Sequence, residues 1–122
     1  MARILVIDDE DRIRRLLRRA LEMEGHQVLE AREGNEGLQV IRTTPPDLVI
    51  TDLMMPDKDG LEVLMALRHE APELKVIAMS GGGRHKVTEP LLIAEPLGAF
   101  AAVRKPFELD AMLETVKKAL AA

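Results

Sequence analysis

Five side chains in this sequence carry types that matter chemically in combination. They are the carboxylates of Asp8, Asp9 and Asp52, the hydroxyl of Ser80 and the ammonium of Lys105. Carboxylates about 4 Å apart repel by about 4 kcal/mol per pair where the effective dielectric is about 20. A group of acids therefore either carries a raised pKa or recruits a cation. Hard oxygen ligands with open water positions suit Mg²⁺, which commonly takes one or two carboxylates together with phosphate oxygens. A neighbouring ammonium and hydroxyl would then spread charge off a transferring oxyanion. Taken singly, each residue has a plainer role. Acids after strands cap the next helix and favour its N-terminus, as Asp8, Asp9 or Asp11 alone would. A hydroxyl at a strand end is usually a turn residue, and a lone Lys-Pro carries almost no information. The chemistry is joint, and it requires a fold that gathers all five.

The order of elements supplies such a fold. Arg3-Ile4-Leu5-Val6-Ile7, Leu48-Val49-Ile50-Thr51-Asp52 and Lys75-Val76-Ile77-Ala78-Met79 are apolar on consecutive positions. That pattern suits strands buried on both faces of a parallel sheet. Gln27-Val28-Leu29-Glu30 alternates and reads as an edge strand, and Phe100-Ala101-Ala102-Val103 is placed as a fifth strand by its context. Ile13, Leu16, Leu17, Ala20 and Leu21 recur at helical spacing, which predicts an amphipathic helix over 11–24 with Gly25 as its stop. Further helices are expected over Asn35–Arg42, around Leu61–Leu67 and from Leu109 to Leu120. A fourth is confined by Pro90 and Pro96 to Thr88–Leu97. Strands and helices alternating five times predict one doubly wound α/β domain over residues 1–122 with helices on both faces. Ligands in such folds sit beyond the carboxyl ends of the strands, where Asp8, Asp9, Asp52, Ser80 and Lys105 all fall.

Composition narrows the alternatives. The 122 residues suit one domain and include no cysteine, which excludes disulfides, thiolate metal sites and thiol nucleophiles. Two Phe with no Tyr or Trp give no stacking platform for single-stranded nucleic acid. A net charge of −4 is the wrong sign for broad phosphate-backbone binding, although the first helix concentrates Arg12, Arg14, Arg15, Arg18 and Arg19. No run is long and apolar enough for a membrane span and no targeting segment opens the chain, so a cytoplasmic protein is expected. Gly81-Gly82-Gly83-Arg84 lacks the spacing of a phosphate-binding P-loop and reads as an active-site loop. His26, His69 and His85 show no ligand spacing.

Asp8-Asp9, the run Asp47-Leu48-Val49-Ile50-Thr51-Asp52-Leu53-Met54-Met55-Pro56-Asp57-Lys58-Asp59-Gly60 and Lys105-Pro106-Phe107 together resemble the receiver domain of two-component response regulators. The resemblance runs the length of the chain. It implies a flavodoxin-like (βα)5 fold with strand order 2-1-3-4-5. It also implies that Asp52 accepts a phosphoryl group from a phosphohistidine on a sensor kinase or phosphotransfer protein. Mg²⁺ would be held by Asp9, Asp52 and the Met54 backbone carbonyl, with Asp8 acting through water. Lys105 and Ser80 would each serve a phosphoryl oxygen, and the Lys105–Pro106 bond would be cis. The implied output face comprises the fourth predicted helix, the fifth strand and the last helix. The kinase would dock on the first helix, with Arg14 and Arg18 as exposed contacts, and on the loop after the fifth strand.

Two features depart from the common pattern of that family. The stretch from Ser80 to Lys105 is longer than in the commonest receivers, with the extra length around the triple glycine. Three residues before the lysine, where receivers commonly carry Tyr or Phe, stands Ala102, and the nearest ring is Phe100. Without a bulge Phe100 shares a strand face with residue 102, which makes it the candidate substitute. The expected protein is a phosphorylation-dependent switch, monomeric or dimerising on phosphorylation, with no direct nucleic-acid or membrane contact. It would be a stand-alone receiver or part of a longer regulator. The rivals are a phosphorylation-independent interaction module and a Mg²⁺-dependent phosphatase.

Overall fold

The computed structural model describes residues 1–53, 60–80 and 98–122, without the side chains of residues 60 and 61. Five strands, β1 (Arg3–Ile7), β2 (Gln27–Ala31), β3 (Leu48–Asp52), β4 (Lys75–Ser80) and β5 (Ala101–Arg104), form one sheet in the order β2-β1-β3-β4-β5. All neighbours pair in parallel. The described helices are α1 (Asp11–Met23), α2 (Gly34–Thr43), α3 (Gly60–Glu70) and α4 (Leu109–Ala121). The helix expected over Thr88–Leu97 and the triple-glycine loop lie outside the described residues.

The consecutive apolar runs behave as their pattern requires. Leu5, Ile7, Val49, Val76 and Ala78 point to one face of the sheet and pack with α2 and α3 through Leu38, Ile41, Val63, Leu64 and Leu67. Ile4, Val6, Leu48, Ile50, Ile77 and Met79 point to the other and meet Leu17 and Leu21 of α1 and Met112 and Val116 of α4. Alternation along a strand thus divides one set of strands between two aliphatic cores. The helices on one face sit close: a Cβ on Gly37 of α2 would overlap the Ile7 side chain. Gly25 takes φ +91° after α1, the left-handed turn that a side chain resists.

The fifth strand starts one residue later than expected and runs to Arg104. Phe100 precedes it, with its N–H bonded to the Val76 carbonyl at 2.7 Å and its ring partly exposed. The small side chains at Ala101 and Ala102 give the pattern little apolar signal at this edge, so the boundary is set by pairing with β4, Ile77 to Ala101 and Ser80 to Arg104. Ala102 packs against the core that includes Ala78 and Ala99.

Candidate functional site

Parallel strands deliver their C-terminal residues to one rim, and here backbone bonds between neighbouring chain segments extend beyond the strand ends. The Asp8 N–H donates to the Ala31 carbonyl at 3.1 Å, Leu53 N–H to Met79 O at 2.8 Å and Lys105 N–H to Ser80 O at 2.7 Å. These bonds hold the backbone at or beside Asp8, Asp52, Ser80 and Lys105 at the ends of four different strands. The Lys105–Pro106 bond is cis, as the sequence resemblance implies.

The side chains converge. Lys105 Nζ lies 2.7 Å from Asp8 Oδ2, 3.2 Å from Asp52 Oδ2 and 3.3 Å from Glu10 Oε1. Carboxylate oxygens of Asp8, Asp9 and Asp52 fall within 4.8 Å of one another. Asp8 is fully buried and Asp52 is 4% exposed, whereas Asp9 faces solvent. Burial pushes the Asp8 carboxyl up to about 6 against the lowering effect of its bonds from Lys105 and the Glu10 N–H, and the Asp52 charge adds to the rise. Burial alone would lower the Lys105 pKa, but the bond to Asp8 and the charges of Asp52 and Asp8 outweigh it and hold the ammonium above its usual value.

Ser80 completes the rim in a different way. Its hydroxyl is buried and has no hydrogen-bond partner among the described residues. Buried polar groups are nearly always satisfied, so this hydroxyl at the C-terminal end of β4 is an exception among the described residues. The donor set is all hard oxygen, with one solvent-facing carboxylate, and it fits Mg²⁺. The Met54 carbonyl, expected to be a further ligand, lies outside the described residues.

The sequence pattern misses two contributors. Glu10 joins Lys105 from the first turn after β1; its place beside Asp8-Asp9 is the available signal. Arg14, expected as an exposed docking contact, is instead buried, and this corrects that expectation. Its guanidinium donates to the Asp8 carbonyl at 2.8 Å and to Glu30 Oε1 at 3.0 Å, and also pairs with Asp11. Three acceptors within reach of one planar fork draw the side chain inward instead of leaving it in water. Arg18 remains exposed, paired with Glu22 at 3.1 Å and with Glu30.

Comparison with known proteins identifies a family for the chain. The response regulator receiver domain family matches residues 4–117. Among curated relatives, sporulation initiation phosphotransferase F of Bacillus subtilis is 33% identical over 97% of this chain and 93% of its own length. Response regulator MprA of Mycolicibacterium vanbaalenii is 37% identical over 97% of this chain, and regulatory protein AtoC of Escherichia coli is 36% identical over the same share. The chain spans only half of the former and a quarter of the latter. A response regulator receiver domain protein from Clostridium thermocellum superposes with a TM-score of 0.90 at 32% identity, covering 99% of this chain and 95% of that one. The response regulator TrrA from Thermotoga maritima, solved in complex with Mg²⁺–BeF, gives 0.85 at 37% identity, covering 98% of this chain and all of that one. With its parallel 2-1-3-4-5 sheet, its acidic rim and a family match over nearly its whole length, the chain belongs to the response regulator receiver domains of two-component signalling.

Proposed function

We propose that Asp52 is the phosphoacceptor of this receiver, that residues 1–122 act as one receiver domain, and that the reaction is self-catalysed. The observation that carries this reading is the ammonium of Lys105 seated on Asp8 and Asp52 within a group of three acids on one rim. Asp9, Asp52, the Met54 carbonyl and, through water, Asp8 would hold Mg²⁺, which when bound supplies positive charge to the phosphoryl oxygens. An Asp52 carboxylate oxygen attacks phosphorus, the P–N bond of the donor phosphohistidine breaks, and the imidazole leaves with the electron pair and takes up a proton. Lys105 keeps its charge and shifts its ion pair from the carboxylates to a phosphoryl oxygen. The Ser80 hydroxyl donates to another and so gains the partner it lacks among the described residues. Hydrolysis of the acyl phosphate by water resets Asp52, with no outside substrate turned over.

The partners belong to the same reading. A cytoplasmic sensor kinase or phosphotransfer protein docks on the outer face of α1, where Arg18 is exposed, and on the loop after β5. A downstream protein, or an output domain in a longer chain, reads the face built from the stretch before β5, β5 itself and α4. Incubation with acetyl phosphate and MgCl2 tests the chemistry. The expected result is the mass gain of one phosphoryl group on the Asp52 peptide, absent without Mg²⁺ and absent in Asp52→Asn. No gain where a control receiver reacts would overturn the proposal and favour an interaction module that works without phosphorylation.

A further inference from the structure

Asp9 is the one acid of the three that faces solvent, and it makes no hydrogen bond of its own among the described residues. Its placement must therefore come from its backbone. The Asp8–Asp9 peptide is held from its carbonyl side by the Arg14 guanidinium, whose Nη1 donates to Asp8 O at 2.8 Å in a buried contact. The Asp8 side chain closes the same turn by accepting the Glu10 N–H at 2.8 Å. Glu10 itself, which caps α1, offers no side-chain cap bond, so the turn lacks the usual device that stiffens a helix start. Arg14 is fixed in turn by Glu30 on β2 and Asp11 on α1. Its fork thus joins the acid turn to an adjacent strand.

We propose that Arg14 is a positioning residue for the cation site: by holding the Asp8–Asp9 peptide plane it sets where the Asp9 carboxylate stands relative to Asp52. This rests on the reading of the rim as a Mg²⁺-dependent phosphoacceptor site and adds a residue that touches neither cation nor phosphoryl group. Only a planar, multiply donating head can serve the Asp8 carbonyl, Glu30 and Asp11 together, so lysine is a poor substitute. Positioning and plain electrostatics make opposite forecasts. Removing a cation near an acidic site should tighten divalent-cation binding if charge alone matters. Loosening a ligand's support should weaken it, by about tenfold where such supports have been removed from metal sites.

The test is a MgCl2 titration of the intact protein monitored by backbone amide NMR, which needs no phosphodonor and no turnover. Arg14→Met should raise the Mg²⁺ Kd about tenfold. Arg14→Lys should raise it less, and Glu30→Gln, which removes the charge of one of Arg14's two carboxylate partners without touching the rim, less again. Arg42→Met, which breaks a comparable arginine–glutamate pair with Glu70 between α2 and α3, should leave it unchanged. Unchanged or tighter binding in Arg14→Met overturns the proposal, even with a lowered Tm. If that variant does not fold, unchanged affinity in both Arg14→Lys and Glu30→Gln overturns it. If the wild-type protein shows no Mg²⁺ response, the phosphoacceptor reading fails and this proposal with it. Mg²⁺ binding that ignores Arg14 sinks the proposal alone.

Discussion

The two ends of the sheet handle polar groups in opposite ways. At the N-terminal ends of the strands, the Ala2 N–H donates to His26 Nδ1 at 3.1 Å and the Arg3 N–H to Asp47 Oδ2 at 2.8 Å. The Arg3 guanidinium reaches Gln27 Oε1 and the Pro45 carbonyl. Apart from the half-buried Ala2–His26 bond, these partners are open to water, so an imperfect bond there is completed by solvent. At the C-terminal ends, Asp8, Asp52 and Ser80 are buried, one lysine serves three carboxylates, and one hydroxyl has no partner among the described residues. The same strands run between the two ends. The difference shows a rim held by backbone bonds and core packing, where the Ser80 hydroxyl is left without a partner among the described residues.

The sharpest way to break the contrast is Lys105→Met. It removes the ammonium paired with two buried carboxylates and should cost about 3 kcal/mol in urea unfolding at neutral pH. Added MgCl2 should recover part of that loss; a variant as stable as wild type would show the rim to be no more strained than the opposite end. Ser80→Ala acts in the other direction. Removing an unsatisfied buried hydroxyl should raise stability by about 1–2 kcal/mol while slowing phosphoryl uptake from acetyl phosphate. A loss of stability would mean that the hydroxyl is already paired. At the opposite end, Asp47→Ala removes the acceptor of the Arg3 N–H and should cost about 1 kcal/mol, with phosphoryl uptake at the wild-type rate.

The smallest effect concerns acid. Burial would raise the Glu30 carboxyl, but Arg18 and Arg14 outweigh it and hold it below its ordinary 4.5. A carboxyl lowered in the folded state contributes stability above its unfolded pKa and loses it as pH falls through the folded one. The difference in Tm between wild type and Glu30→Gln should therefore be full at neutral pH and shrink as the pH falls below 4.5. A constant difference would separate Glu30's role from its charge.

Much of the fold and the site is legible in the residues. Strands buried on both faces leave continuous apolar runs, so β1, β3 and β4 stand out with their site residues attached. The rim acids and Lys105 fall where chemistry gathers in such folds, at the strand ends. What the pattern does not convey is pairing across elements. Arg14 sits among five arginines on α1, and on a helix alone such a run reads as a solvated face. Arg14 stands in line with the buried Leu17 and Leu21, and Glu30 on another strand with the inward Asp8 carbonyl lets its charged head stay there. The orphaned Ser80 hydroxyl depends likewise on what fails to approach it. Ala102 and Phe100 show the limit on the other side: their types are plain, but the strand boundary that leaves Phe100 outside β5 comes from pairing with β4.

The bond from Lys105 to Asp8 joins residues 97 positions apart, which makes the rim a reporter of how complete folding is. Lys105 adjoins the end of β5, a four-residue edge strand with no fully buried side chain. Short edges open more readily than central strands, and long-range contacts form late. Detachment of β5 alone would carry the ammonium away while β1 and β3 kept their acids in register. Amide exchange at Lys105, whose N–H is bonded to the Ser80 carbonyl, would track that event directly. The Lys105 contacts of the rim would thus be lost before the rest of the sheet.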